Sequence, residues 1–184
     1  MSDVDEAVKN IAACTDPDVL DTFRYSLEYA IQYALVENKF ISEKCLWTLC
    51  RTGWPGILEK LVYHPGCTPN MRRVLSRCHY TSVQAHVASH PSTPHGALCA
   101  MYKSGLTNDV LYRLAANYYC PLHIIKDLSR HNVLEIRLRI AGRHDTPRQI
   151  LAEMTTDIAY AVRNAAASNP RCPKSALIAY RLCD

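Results

Sequence analysis

Phenylalanine and tryptophan are scarce in this chain, with two of each among 184 residues against eleven tyrosines. A thick central core usually draws on Phe, so the shortage points to a thin core shared along an elongated body. No apolar run approaches the roughly 18 residues of a membrane helix. The opening MSDVDEAVKN lacks the basic start and apolar stretch of a secretion signal. The expectation is a cytoplasmic protein without membrane association. No C-x-x-C pair occurs among the nine cysteines, which argues against both a disulfide framework and a zinc ribbon. G-x-S-x-G, H-E-x-x-H, the P-loop and the dinucleotide-binding glycine pattern are absent too, so the chain reads as a non-enzyme without a cofactor. With 48% apolar and 21% charged residues, it still has the composition of a folded globular protein.

What the chain does have is internal repetition. Val83–Leu98 reads VQAHVASHPSTPHGAL and Val162–Leu177 reads VRNAAASNPRCPKSAL. Aligned on Pro69, Pro94, Pro121, Pro147 and Pro173, the segments are spaced by 25, 27, 26 and 26 residues, and Ser42 and Pro17 extend the series upstream. Ile31, Ile57, Val83, Val110, Ile136 and Val162 form one apolar column, and Leu35, Leu61, Val87, Leu114, Ile140 and Ala166 form another. The two columns lie four residues apart, which is helical and not strand spacing. A third column, Val36, Val62, Ala88, Ala115, Ala141 and Ala167, shrinks towards alanine, as close helix packing requires.

Each helix is followed by a break such as HPGCTP, NYYCP or RHDTP. Thr68, Thr93 and Thr146 are expected N-caps, with the next proline as the first helical residue. The second helix then buries Leu46, Leu98, Ile125, Leu151 and Leu177. Of the ten prolines only Pro55 falls outside these breaks, whereas scattered prolines would cost about 3 kcal/mol each in helix interiors. The expected fold is all-α: one α-solenoid over residues 1–184, with six to seven helical hairpins of about 26 residues stacked on their neighbours. Its parts are an acidic unit at 1–28 and repeats over 29–184.

The pattern V-R-x-x-A-A-x-N-P-x-x-P-x-x-x-L, carried by Val162, Arg163, Ala166, Ala167, Asn169, Pro170, Pro173 and Leu177, resembles the leucine-rich repeat variant family, a relative in shape of HEAT and armadillo solenoids. The resemblance implies an α-solenoid with a short second helix and implies no chemistry. One member of that family carries an iron–sulfur cluster on clustered cysteines, but Cys14, Cys45 and Cys50 lack that spacing. HEAT-like folds also include DNA glycosylases, whose aromatic and acidic pocket Trp47 or Trp54 with Glu59 would imitate, although no motif links these residues.

Cys67, Cys120 and Cys172 recur beside the anchor proline and read as small, half-buried residues of the cap region. His64, Cys67, His86 and His90 raise the question of zinc. Equivalent residues of adjacent repeats stand about 8–10 Å apart, too far to share ligand bonds near 2 Å. No metal is therefore expected, and the rings read as helix caps or anion-attracting groups.

Charge is the more informative feature. Residues 1–28 hold seven acids against Lys9 and Arg24, and no acid occurs between Glu59 and Asp109. Three residues past the first apolar column come Ala34, Lys60, His86, Arg113, Arg139 and Ala165, on a face turned away from the apolar columns. Arg137 and Arg163 recur two places earlier, and Arg72, Arg73 and Arg77 add to the basic segment. The sequence thus predicts a row of cations over Lys60, Arg72, Arg73, Arg77, His86, Arg113, Arg137, Arg139 and Arg163. It serves either a protein partner on an extended surface or the backbone of a nucleic acid without sequence preference, and the bland alternative is a solvated basic face. At the other end, YRLCD follows the last repeat without a polar cap, so Leu177, Ile178, Tyr180 and Leu182 are an expected homodimer interface.

Overall fold

A computed structural model of the protein describes residues 3–183, and the side chains of all of these except residues 179 and 181–183. Among the described residues it contains fourteen α-helices and no strand. No helix is long and apolar enough to cross a membrane. The chain divides into two compact units, Met1–Ala97 and Leu98–Asp184.

In the first unit, α1 (Asp3–Ala13), α3 (Tyr29–Glu37), α5 (Pro55–Tyr63) and α7 (Thr81–Ser89) pack side by side in that order. The shorter helices α2 (Pro17–Asp21), α4 (Glu43–Thr52) and α6 (Pro69–Leu75) alternate with them along the chain, and α4 lies against α2, α5 and α6. The acidic N-terminal segment belongs to this packing: Ile11 of α1 and Leu20 of α2 are wholly buried. The helix α8 (His95–Lys103) contains the point of division.

The second unit repeats the scheme. There α9 (Asn108–Ala116), α11 (Leu134–Ala141) and α13 (Tyr160–Ser168) pack in order, alternating along the chain with α10 (Leu122–Leu128), α12 (Arg148–Met154) and α14 (Lys174–Cys183). All residues of the three apolar columns are buried except Ala167, which is half-buried. The buried residues of both units are accordingly mostly aliphatic, and Phe is absent from them among the described residues.

Helix starts follow the expectation in part. Ser42 and Thr68 accept hydrogen bonds from the amides of Cys45 and Met71, and Pro17, Pro55 and Pro69 stand in the first turns of α2, α5 and α6. Pro55 therefore starts a helix, although it lies outside the regular breaks. Thr93 and Thr146 behave differently: their hydroxyls donate back to the carbonyls of Val87 and Ile140, both at 2.6 Å. They close the end of the preceding helix, and Pro147 takes the N-cap position of α12. Cys67, Cys120 and Cys172 share this buried column with the two threonines.

Candidate partner-binding face

One column of the period carries a polar device that the apolar pattern does not reveal. Asn38, His64, His90, Asn117, Arg143 and Asn169 each stand two places after the third apolar column. Asn38 donates from Nδ2 to the carbonyls of Ile11 and Cys14 at 2.7 and 2.8 Å, while its Oδ1 accepts from the amide of Phe40 at 2.8 Å. His64 sets its Nε2 3.2 Å from the Asn38 carbonyl and accepts the Gly66 amide at Nδ1. In the second unit Arg143 bonds the carbonyls of Ala115 and Asn117, and Asn169 bonds those of Ala141 and Arg143.

A buried carbonyl at a helix end needs a donor, and this column supplies one from the next turn of the period. Because Nδ1 of His64 accepts, Nε2 carries the hydrogen and the ring is neutral. Burial holds its pKa below the ordinary histidine value, and the bond to Asn38 opposes the shift only partly. Both nitrogens are thus engaged within the protein. Among the described residues no three His, Cys, Asp or Glu side chains gather as a metal site requires. The thiols of Cys45, Cys50 and Cys120 are pushed up to about 12 by burial, which removes them as nucleophiles at neutral pH.

The nine predicted cations divide into kinds. In the first unit Lys60 lies 4.7 Å from the centroid of the Tyr33 ring and pairs with Glu37 across the α3–α5 groove. The Glu37 hydrogen bond, with help from Tyr33, raises the Lys60 pKa above its usual range. His86 stands 3.1 Å from the Tyr63 hydroxyl and 3.8 Å from Glu59, with its ring edge-on to Tyr63. Arg72 is not on a face: it is buried, and its Nε donates to the Val62 carbonyl at 3.3 Å. Arg73 and Arg77 are exposed and have no partner among the described residues.

In the second unit Arg113 faces Asp109 at 3.8 Å, both well exposed. Arg137 makes a two-pronged pair with Asp157 at 2.7 and 3.0 Å and bonds the carbonyls of His131 and Asn132. Burial raises the Asp157 pKa, but hydrogen bonds from Arg137 and the Ala159 amide outweigh it and leave the carboxyl below its usual range. Arg163 bonds the carbonyls of Asp157 and Ile158 in the same manner as Arg137, and lies 5.6 Å from the Tyr160 ring. Gln32 and Gln84 use that column position likewise, donating to Ser26 and Cys78. Arg139 is exposed, its guanidinium 5.7 Å from the Tyr112 ring.

Exposed tyrosines therefore accompany the cations on the long helices: Tyr29, Tyr33 and Tyr63 in the first unit, Tyr112 and Tyr160 in the second. Between α9 and α11 the surface opens into a cleft of about 630 Å³ lined by Tyr112, Ala116, Tyr118, Leu138, Arg139 and Gly142. Trp47, Trp54 and Glu59 serve separate contacts. The Trp47 indole bonds Glu43, Glu59 faces His86, and Trp54 stands just before α5. Of the C-terminal cluster, Ile178 is exposed, Leu177 and Tyr180 are half-buried, and the Leu182 side chain lies outside the described residues.

No protein family, no curated protein and no solved structure matches this chain.

Proposed function

We propose that the protein is a non-catalytic helical-repeat scaffold, a solenoid of six to seven hairpins similar to the leucine-rich repeat variant proteins, and that it binds a protein partner on the face formed by its long helices. The observation that carries this reading is the internal matching of charge. Lys60 with Glu37, His86 with Glu59, Arg113 with Asp109 and Arg137 with Asp157 are paired, and Arg72 is buried.

A surface built for phosphates keeps its cations unpaired, because affinity there comes from counterions released by each phosphate contact. Here the long-helix face is nearly neutral and rich in tyrosine, the composition of protein interfaces, whose energetic centres favour Tyr and Arg. Of the nine, the nucleic-acid reading retains Arg73, Arg77 and Arg139 as cations without an ion pair among the described residues, while Arg163 bonds backbone carbonyls.

The test is a pair of measurements. Binding to an arbitrary oligonucleotide should be negligible at physiological salt, and the tagged protein should recover a partner from its host after nuclease treatment. Salt-steep oligonucleotide binding that Arg113→Glu with Arg139→Glu weakens for all sequences alike would reverse the assignment.

A further inference from the structure

The α3–α5 groove and the α9–α11 groove occupy the same place in the sequence period, offset by 79 residues. The offset carries Tyr33 to Tyr112 and Lys60 to Arg139, and the geometry follows: each cation lies over its tyrosine, at 4.7 and 5.7 Å. It also carries Glu37 to Ala116 and Tyr63 to Gly142. In the first unit Glu37 completes the arrangement by pairing with Lys60. In the second that acid is absent, so Arg139 has a ring beneath it and no ion pair among the described residues, while Asp145, which also lines the cleft, is paired with Arg143. Glu135, one turn earlier on α11, lines the cleft but makes no ion pair with Arg139 among the described residues. The hollow measures about 440 Å³ in the first unit and about 630 Å³ in the second, the direction that losing two large side chains requires.

We propose that the α9–α11 cleft receives a segment of the partner protein that places a carboxylate on Arg139 and an adjacent large apolar side chain against Tyr112, Tyr118 and Leu138. The incoming segment supplies from outside what Glu37 and Tyr63 supply from within. The inference rests on the scaffold reading and adds the chemistry of what is bound. Arg139 is held over Tyr112 before the ligand arrives, and Ala116 and Gly142 leave room for the incoming chain. An arginine so placed recognises a carboxylate by charge-assisted hydrogen bonds.

The experiment is an amide-resonance titration of the full chain with N-acetyl-Glu-Phe-amide, using N-acetyl-Lys-Phe-amide and N-acetyl-Glu-Ala-amide as comparison probes. The expected result is a saturable shift centred on Ala116, Arg139 and Gly142, with either comparison probe about tenfold weaker. Ala116→Glu, which restores the internal acid, should abolish the shift. Gly142→Tyr should do the same by filling the cleft: the backbone there is right-handed helical, and an added Cβ meets only Leu138 and Arg139 carbonyls at 3.5 and 3.9 Å.

The proposal is overturned by equal binding of the Lys-Phe probe, by binding undiminished in both folded variants, by shifts elsewhere or none, or by a short oligonucleotide that shifts the same resonances as strongly. If wild type and folded Ala116→Glu retain the same host partner, the cleft inference fails and the scaffold reading stands. If wild type recovers no partner, the scaffold reading fails, and the probe titration alone decides the chemistry of the cleft.

Discussion

His64 hydrogen-bonds through Nε2 to the carbonyl of Asn38, the residue that holds its own position 26 places earlier, at 3.2 Å. Asn169 reaches the carbonyl of its predecessor Arg143 in the same way at 2.7 Å. Within each unit, Asn38, His64, Arg143 and Asn169 thus each join their turn of the period to the one before it. Asn169→Ala should leave the Ala141 and Arg143 carbonyls buried without that donor and cost about 1–3 kcal/mol. Urea denaturation measures it, and a loss below about 0.5 kcal/mol would remove the joint from the account.

Arginine at position 143 does the work that asparagine does at 38 and 169. Arg143→Leu strips donors from the Ala115, Asn117 and Tyr118 carbonyls and leaves Asp145 without its partner. Asp145 is partly exposed and can be solvated, so the cost comes from the buried carbonyls left without a donor, about 1–3 kcal/mol. Arg143→Asn can remake two of those bonds with the geometry already used at Asn169, so it should be clearly more stable than the leucine variant. Equal melting temperatures for the two would contradict this.

Acid sensitivity should begin with histidine. The folded-state pKa of His64 lies below the ordinary 6.5, because burial disfavours the charged ring, and His90 is lowered by burial and by Arg72. Below 6.5 the unfolded chain binds the proton and the folded chain does not. Stability is therefore full above that pH and falls as pH drops towards the folded-state value, by up to about 1.4 kcal/mol per pH unit for one such group. His64→Asn should flatten this dependence, since asparagine fits the same joint at position 38. Midpoints in urea between pH 7 and pH 5 measure it, and an unchanged slope in the variant would count against the assignment.

Below that range the Arg137–Asp157 pair takes over. Asp157 titrates below the usual carboxylate range in the folded protein, so its contribution is present above that range and is lost as pH falls through the folded-state value. Both side chains are only 11% exposed. A double-mutant cycle with Arg137→Met and Asp157→Asn should therefore give a coupling above the 0.2–1 kcal/mol that is roughly typical of exposed pairs. The exposed Arg113–Asp109 pair should fall within that range.

The apolar half of the fold is legible in the sequence because aliphatic columns at fixed spacing leave few options other than packed helices. Ile57, Leu61 and Val62, all wholly buried, stand where their period puts them. The polar half is harder to read. One position is filled by Asn, His or Arg in different turns of the period, and only the shared task of donating to a buried carbonyl unites them. The break residues His64 and Asn117 are visible as punctuation, whereas the carbonyls that Asn38 and His64 reach lie 24 to 27 residues away. Charge was legible as sign and not as pairing. Arg72 and Arg137 look like surface cations until Val62 and Asp157 are placed beside them, and Arg139 stands apart only once Ala116 is seen where Glu37 stands in the other groove.

The central claim, that the long-helix face binds protein, is tested most directly by photo-crosslinking from that face. With p-benzoylphenylalanine at Tyr63, at Tyr112 and, for contrast, at the exposed Val74 of α6, irradiation in the host should give a discrete protein adduct from Tyr63 or Tyr112 that survives nuclease, and none from Val74. Adducts that disappear with nuclease, or that form only from Val74, would contradict it.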